Sequence, residues 1–398
     1  MIDSRPRVVA LAAGCAVVTV AAIAPSSFAA TGRHRHPRTV VTIKVGKDPQ
    51  ALAFTPNSKH LYVVNEASDT VTPISMRSFK ASHAISVGSD PDAIVITANG
   101  KTALVANAGS ASVTPIATGT DKAGKPIPVG TGPSAITISQ ATRRAYVVDS
   151  GSGGVTPISL SSHRPLTEIP TGSGADAITV LPGGRTGYVA NFIADTVTPL
   201  DLAHDTAAAP IPVGSHPDAI VATPNGKKVY AANFDSGTVT PINTVTDKAG
   251  SPISVGKEPV QLAVTPNGKE LLVANYQSNT VSIVSTASNR VRKTLKVGKE
   301  PMALAIERHH NLAIVAADGS ETMTVIDMSK NRKKKTIKTG GGTDGIAFSP
   351  NASLNAGYLA SIIPTPGLTT STVIGTAAVR CAADASRATA GQGECLNQ

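Results

Sequence analysis

Residues 214–255 read GSHPDAIVATPNGKKVYAANFDSGTVTPINTVTDKAGSPISV, and the rest of the chain copies them. The opening glycine returns as Gly46, Gly88, Gly130, Gly172, Gly256, Gly298 and Gly340, always in steps of 42 residues with no insertion. A period of that size marks an array of one supersecondary unit. Within the unit, Asp218 to Ala222 is a short apolar run, and Thr223-Pro224-Asn225-Gly226 follows it as a tight hairpin, with Asn-Gly expected to supply the positive φ angles. The second strand is Lys228 to Asn233, the third Thr238 to Ile242, and the fourth Ser251 to Val255 after a polar loop. Nothing in the unit has helical periodicity. Four short antiparallel strands per repeat of this length predict the blades of a β-propeller, an all-β fold.

The second strand closes as YVVN at Tyr62–Asn65, LVAN at Leu104–Asn107, YVVD at Tyr146–Asp149, YVAN at Tyr188–Asn191, YAAN at Tyr230–Asn233 and LVAN at Leu272–Asn275. With VG-x-x-P before the first strand and TPNGK at the hairpin, these tetrapeptides resemble the YVTN family of β-propellers, of the surface-layer type. The resemblance covers residues 39 to 350. It implies a surface or periplasm-like location and interaction with proteins or polymers, and it points to no particular ligand. The WD dipeptide and the paired glycines of kelch repeats are absent.

The N-terminus reads as an export signal over residues 1–29: Arg5 and Arg7, an apolar stretch from Val8 to Ala24, and Ser27-Phe28-Ala29 as a small-x-small cleavage site. The stretch is short for a spanning helix, so a secreted or cell-surface protein with no transmembrane span after cleavage is expected, an uncleaved anchor being the alternative. LAAGC, ending at Cys15, lacks the Leu of a lipoprotein box and sits inside the apolar stretch. Residues 30–38 read as a disordered leader, 39–364 as the propeller, and 365–398 as a loosely structured tail rich in Ala, Thr and Gly. The tail holds Cys381 and Cys395, a pair expected to form a disulfide in an exported chain.

Seven full units run from Gly46 to Thr339 and leave two orphan strands, Thr39 to Val45 and Gly345 to Ser349. Joined with Ala356–Ser361 and Ser371–Gly375 they predict an eighth blade, in which Thr39–Val45 pairs with the tail. Seven blades with overhanging strands is the alternative.

Outer strands are exposed edges that need protection from edge-to-edge pairing. Repeats two to five place proline there or beside it, whereas repeats six and seven carry Arg290, Arg292, Lys293 and Lys296, then Lys330, Arg332, Lys333, Lys334, Lys335 and Lys338. In the third strand, Pro73, Pro115, Pro157, Pro199 and Pro241 give way to Ile283 and Val325. Missing N–H donors there predict weak pairing between third and fourth strands in the first five blades. Net charge is +10, and the ten cations are expected to form one rim patch. Two readings stand: edge protection with solubility, or adhesion to a polyanion such as a cell-envelope polymer. Nucleic acid is disfavoured, because the patch has no interleaved aromatics and the chain no Trp.

Residues opening the first, innermost strand are expected to ring the channel mouth, and Asp92, Asp176, Asp218 and Asp344 are among them. Such carboxylates suit a basic ligand group or a hard cation such as Ca²⁺, unless each caps its own turn. The Asn and Thr that flank the loop between strands two and three (Asn233 and Thr238, for example) read as turn-bonding groups. His60, His83, His163, His204 and His216 read as solvated turn residues, and His309 and His310 replace the hairpin Asn-Gly of repeat seven. No haem, nucleophile-elbow or phosphate-loop motif occurs, and no catalytic set or cofactor is expected. The sequence therefore predicts a monomeric, non-catalytic binding or envelope scaffold that engages a protein or an anionic polymer. The alternative, from fold analogy, is a lactonase-like or metal-dependent hydrolase at the Asp-lined mouth.

Overall fold

The computed structural model describes residues 15–22, 43–307, 311–338, 345–348 and 358–364. Among these there is no α-helix, only two single 3₁₀ turns at Glu66–Ser68 and Asp318–Ser320, and so no helix long and apolar enough to cross a membrane.

The chain is an all-β propeller in which each of the seven repeats forms one antiparallel blade. In the fifth, the inner strand is Pro217–Ala222, the second Lys228–Asn233 and the third Thr238–Asn243. Inner strands of successive blades pack side by side around the axis. The hairpin after the inner strand differs from the expected one. Gly226 alone takes a positive φ, of 66°, while Asn225 uses its Oδ1 to accept from Thr223 Oγ1 and Lys227 N.

Because a blade is covered on both faces, its second strand is apolar in a row rather than alternating. Val229, Tyr230, Ala231 and Ala232 are all fully buried. Pleating sends Val229 and Ala231 toward Tyr188 and Val197 of blade four, and Tyr230 and Ala232 toward Leu271 and Val273 of blade six. The core thus lies between blades, and each tyrosine carries its hydroxyl across that boundary. Tyr62 donates to Asp121, Tyr188 to Asp247 and Tyr230 to Asn289, at 2.7, 2.5 and 2.9 Å. Burial and the acceptor Asp247 together push the Tyr188 phenol well above its ordinary range.

Third-strand prolines break the outer strand as their missing N–H predicts. In blade two the outer strand survives as Lys122–Ala123 and Ile127–Pro128, pairing on either side of Pro115. Pro115 still accepts from Gly124 N at 2.7 Å, but it has no hydrogen to return. Blade one has no proline in its outer strand and is split likewise into Lys80–Ala81 and Ile85–Ser86, so the third-strand proline is the cause. Blades six and seven keep whole outer strands, Arg290–Lys296 and Arg332–Lys338.

The orphan strands gather into one further four-stranded sheet between blades seven and one, with a composition that corrects the expected one. Gly345–Phe348 pairs with Tyr358–Pro364, which pairs with Cys15–Ala22, which pairs with Ile43–Lys47. Among the described residues Ile43–Lys47 therefore reaches Tyr358–Pro364 through Cys15–Ala22, and Ile43 packs on Phe54, Leu61 and Ile74 of blade one. Cys15–Ala22 is paired on both edges, and its run CAVVTVAA is rich in β-branched residues that favour a strand. Ser371–Gly375, the expected third strand, lies outside the described residues, as do Arg5, Arg7, His309, His310, Asp344, Cys381 and Cys395 and residues 30–38 and 365–398.

Candidate functional site

Every VG-x-x-P turn crosses from one blade's outer strand to the next blade's inner strand on the same face of the wheel. The residue two after the glycine stands in the left-handed region, with φ of 51° at Asp48, 50° at Asp90, 54° at His216, 52° at Glu258 and 55° at Glu300. Its carbonyl accepts from the residue that follows the second strand's Asn: Glu66 N to Asp48 O at 2.7 Å, Phe234 N to His216 O at 2.8 Å, Tyr276 N to Glu258 O at 2.8 Å. A serine three residues past that Asn pins the turn from the other side, as in Ser215 N to Ser236 Oγ at 2.6 Å and Lys257 N to Ser278 Oγ at 2.7 Å. Repetition of this frame holds three variable side chains per blade at the mouth.

The first of the three is the residue after the proline that opens the inner strand, or after Ala175 in blade four, where the strand bulges. Pairing shifts between Pro91 and Ala93, between Pro217 and Ala219, and likewise in blade four after Ala175, so that Asp92, Asp176 and Asp218 are the extra, re-aimed residues. All three are half-buried and hold interactions within the protein. The same bulge carries Gln50, Ser134, Val260 and Met302 in the other blades. Among the described residues no three or more His, Cys, Asp or Glu side chains converge as metal ligands would. The aspartates stand one per blade, as separate charges around a ring.

The other two positions were not singled out from the sequence, although they recur at the same 42-residue stride. The left-handed position supplies Asp48, Asp90, His216, Glu258 and Glu300, and the position after the second strand supplies Glu66, Phe192, Phe234, Tyr276 and Asp318. On one arc, Glu66 accepts from Gln50 Nε2 at 2.5 Å; burial, with Asp48, Asp92 and Asp90 nearby, raises its proton affinity. On the other arc the mouth is aromatic. Phe192 stacks on the His216 ring with centroids 4.5 Å apart, and His216 Nδ1 meets Asp235 Oδ2 at 2.5 Å. Burial and Asp235 raise Glu258, which accepts from Gln277 Nε2 at 2.9 Å. His216 is a turn residue with 39% of its side chain exposed, as the sequence suggests, but it also has defined partners in Phe192 and Asp235.

Asn and Thr of the loop between strands two and three are inside the frame. Asn233 Nδ2 donates to Thr238 and Thr240 at 2.9 Å each, and Asn191 and Asn275 repeat the pattern. Asp149 takes this place in repeat three; buried, it is pushed up to about 7, held down only in part by Thr156 Oγ1 at 2.6 Å. On the opposite face, the cleft between the hairpins of blades three and four is lined by Thr137, Ser139, Thr179, Leu181 and neighbours, none of them titratable.

A family model described as "Lactonase, 7-bladed beta-propeller" matches residues 207–301, which span blades five and six. No curated protein matches. Solved structures share the fold at low identity. The chain is similar to Kuenenia stuttgartiensis hydrazine synthase, with 20% identity over 76% of this chain and 99% of that one and a TM-score of 0.57. It is also similar to the dihydro-heme d1 dehydrogenase NirN in complex with DHE, at 12% identity, coverage of 79% and 77%, and TM-score 0.63. A functionally unknown protein from Desulfotomaculum acetoxidans DSM 771 aligns at 17% identity over 70% of this chain and 95% of that one, TM-score 0.55.

Proposed function

We propose that the protein is an exported, non-catalytic binding propeller of the cell envelope that takes a basic group of its ligand at the carboxylate-lined mouth. The observation that carries this reading is where the repeats differ. The glycine recurs in all seven blades and the proline, asparagine and turn serine in most of them, with Ala175, Asp149, Ala317 and Ala194 as the exceptions, while the three positions aimed at the mouth change from Asp and Glu to Phe, Tyr, His, Val and Met. A constant frame with variable tips is how a scaffold specifies one ligand, since loops on a rigid base carry recognition. Carboxylates at Asp92, Asp218, Glu66 and Glu258 favour a cationic group, and Phe192 beside His216 gives its apolar part a place to lie. The likeness to YVTN-type repeats and the apolar N-terminal stretch support the envelope location. Calorimetry with a Lys-rich decapeptide tests the mouth. Binding that weakens about tenfold in Asp218→Asn/Glu258→Gln supports the reading; no binding, or binding indifferent to both changes, contradicts it.

The family-model match favours a second reading, a lactone hydrolase. Glu66, its proton affinity raised and its carboxylate oriented by Gln50, is the group placed to activate water. It lies outside the matched residues 207–301. Turnover of a five- or six-membered lactone that is abolished in Glu66→Gln would establish the enzyme over the scaffold.

A further inference from the structure

The outer strands of blades six and seven differ from the other five in both length and charge. Arg290–Lys296 and Arg332–Lys338 run unbroken for 7 residues each, and all but Leu295 and Ile337 are exposed. Both bulge at the same repeat position, where Arg292 falls between the pairs of Val291 and Lys293, and Lys334 between those of Lys333 and Lys335. A bulge of this kind turns its side chain out of the sheet's regular alternation. The two strands also share an anchor. Glu270 Oε1 accepts from Asn331 Nδ2 at 2.7 Å and pairs with Arg292 at 3.4 Å, which ties the start of one strand to the other blade. Among the described residues that is the one ion pair made by the cations of these strands.

Edge protection does not require so much. Blades two to five end on split strands with prolines, and a single lysine or proline is enough to spoil an edge. At about 3.4 Å per residue, each strand is a row of positive charge about 20 Å long, with same-side cations about 7 Å apart. The cations are spread along lines and converge on no single point, which suits a linear polyanion rather than one phosphate group. No aromatic side chain stands on either strand to stack a base, and none to anchor in a membrane interface.

We infer that the outer strands of blades six and seven form a docking surface for a linear phosphate polymer without bases, laid across the rim. This is independent of what the mouth binds. The test titrates the full chain with inorganic polyphosphate, with single-stranded DNA of equal charge, and with anionic vesicles, at several salt concentrations. Two triple variants are compared, Lys333→Gln/Lys334→Gln/Lys335→Gln on the rim row and Lys80→Gln/Lys122→Gln/Lys248→Gln on the split strands. Both sets are exposed, and thermal melts verify that both variants fold. The expected result is polyphosphate binding that falls steeply with salt, weakens at least tenfold in the rim variant with a log–log salt slope smaller by about 2, and changes less than twofold in the control. Equal losses in both variants would reduce the effect to net charge and overturn the proposal. Binding insensitive to salt, or tighter binding of DNA or vesicles than of polyphosphate, would overturn it as well.

Discussion

Gly214 lies against the side chain of Asn233, so close that a methyl group on the glycine would stand 2.7 Å from Nδ2 and 2.8 Å from Cγ. Gly46 meets Asn65, Gly88 meets Asn107, Gly172 meets Asn191 and Gly256 meets Asn275 in the same way. Two features of the repeat that look separate in the sequence, the glycine stride and the closing Asn, are therefore one contact between a turn and the strand behind it. Gly214→Ala is expected to cost about 1–3 kcal/mol through overpacking, read as a lower denaturation midpoint. Gly183→Ala, where nothing lies within 4 Å, is expected to change stability by less than about 0.5 kcal/mol. Equal effects at the two sites would remove the contact as the reason for the stride.

Asp149 is one of two positions where the frame departs from Asn, Ala317 being the other, and its departure has a pH signature. The carboxyl is fully buried and pushed up to about 7, above the unfolded value near 4, so the native state holds the proton more tightly than the unfolded one. Its contribution to stability is then complete below about pH 4, declines as pH rises to about 7, and is flat beyond. Asp149→Asn, the residue that five of the other repeats carry, is expected to stabilise the protein by about 2 kcal/mol at pH 8 and by little at pH 4. A difference between the two proteins that does not change with pH would contradict this account.

Tyr188 and Asp247 belong to neighbouring blades, joined at 2.5 Å across an otherwise apolar boundary. Tyr188→Phe is expected to cost about 1 kcal/mol. In a double-mutant cycle with Asp247→Ala the coupling is expected to be about 1 kcal/mol, on top of the backbone cost of an alanine at the left-handed φ of 50°. Additive losses would mean that the hydroxyl works alone.

The fold was legible because the period is uninterrupted and the punctuation is chemical. Glycine, proline and the hairpin residues occur where a turn or a close approach needs them, so strand order followed from spacing alone. The split outer strands could be read from Pro115 and its counterparts, since a missing N–H is a property of the residue and not of its surroundings. The hairpin was misread for the opposite reason: Asn225 acts through its side chain, which the residue type permits but does not announce. The mouth was half legible. Asp92, Asp176 and Asp218 stand out in the sequence as charges, while Phe192, Phe234 and Tyr276 open turns, where a single aromatic residue carries no signal of a site. The closing sheet was least legible, because Cys15–Ala22 reads as an export signal by composition and as a strand by propensity.

That double reading makes a prediction of its own. A chain beginning at Ala30 lacks the strand that joins Ile43–Lys47 to Tyr358–Pro364. Amide exchange in those two strands is expected to become fast in the shortened protein, while the second strands of the seven repeats keep their protection. Unchanged protection in Tyr358–Pro364 would show that another segment fills the place.

Hydrogen exchange of the full-length protein, with and without solubilised cell-envelope material, tests the binding account most directly. New protection confined to the turns at 46–49, 88–91, 214–217 and 256–259, and lost in Asp218→Asn/Glu258→Gln, is the predicted result. Protection restricted to the hairpins of the opposite face, or no change on any turn, would contradict a ligand at the mouth.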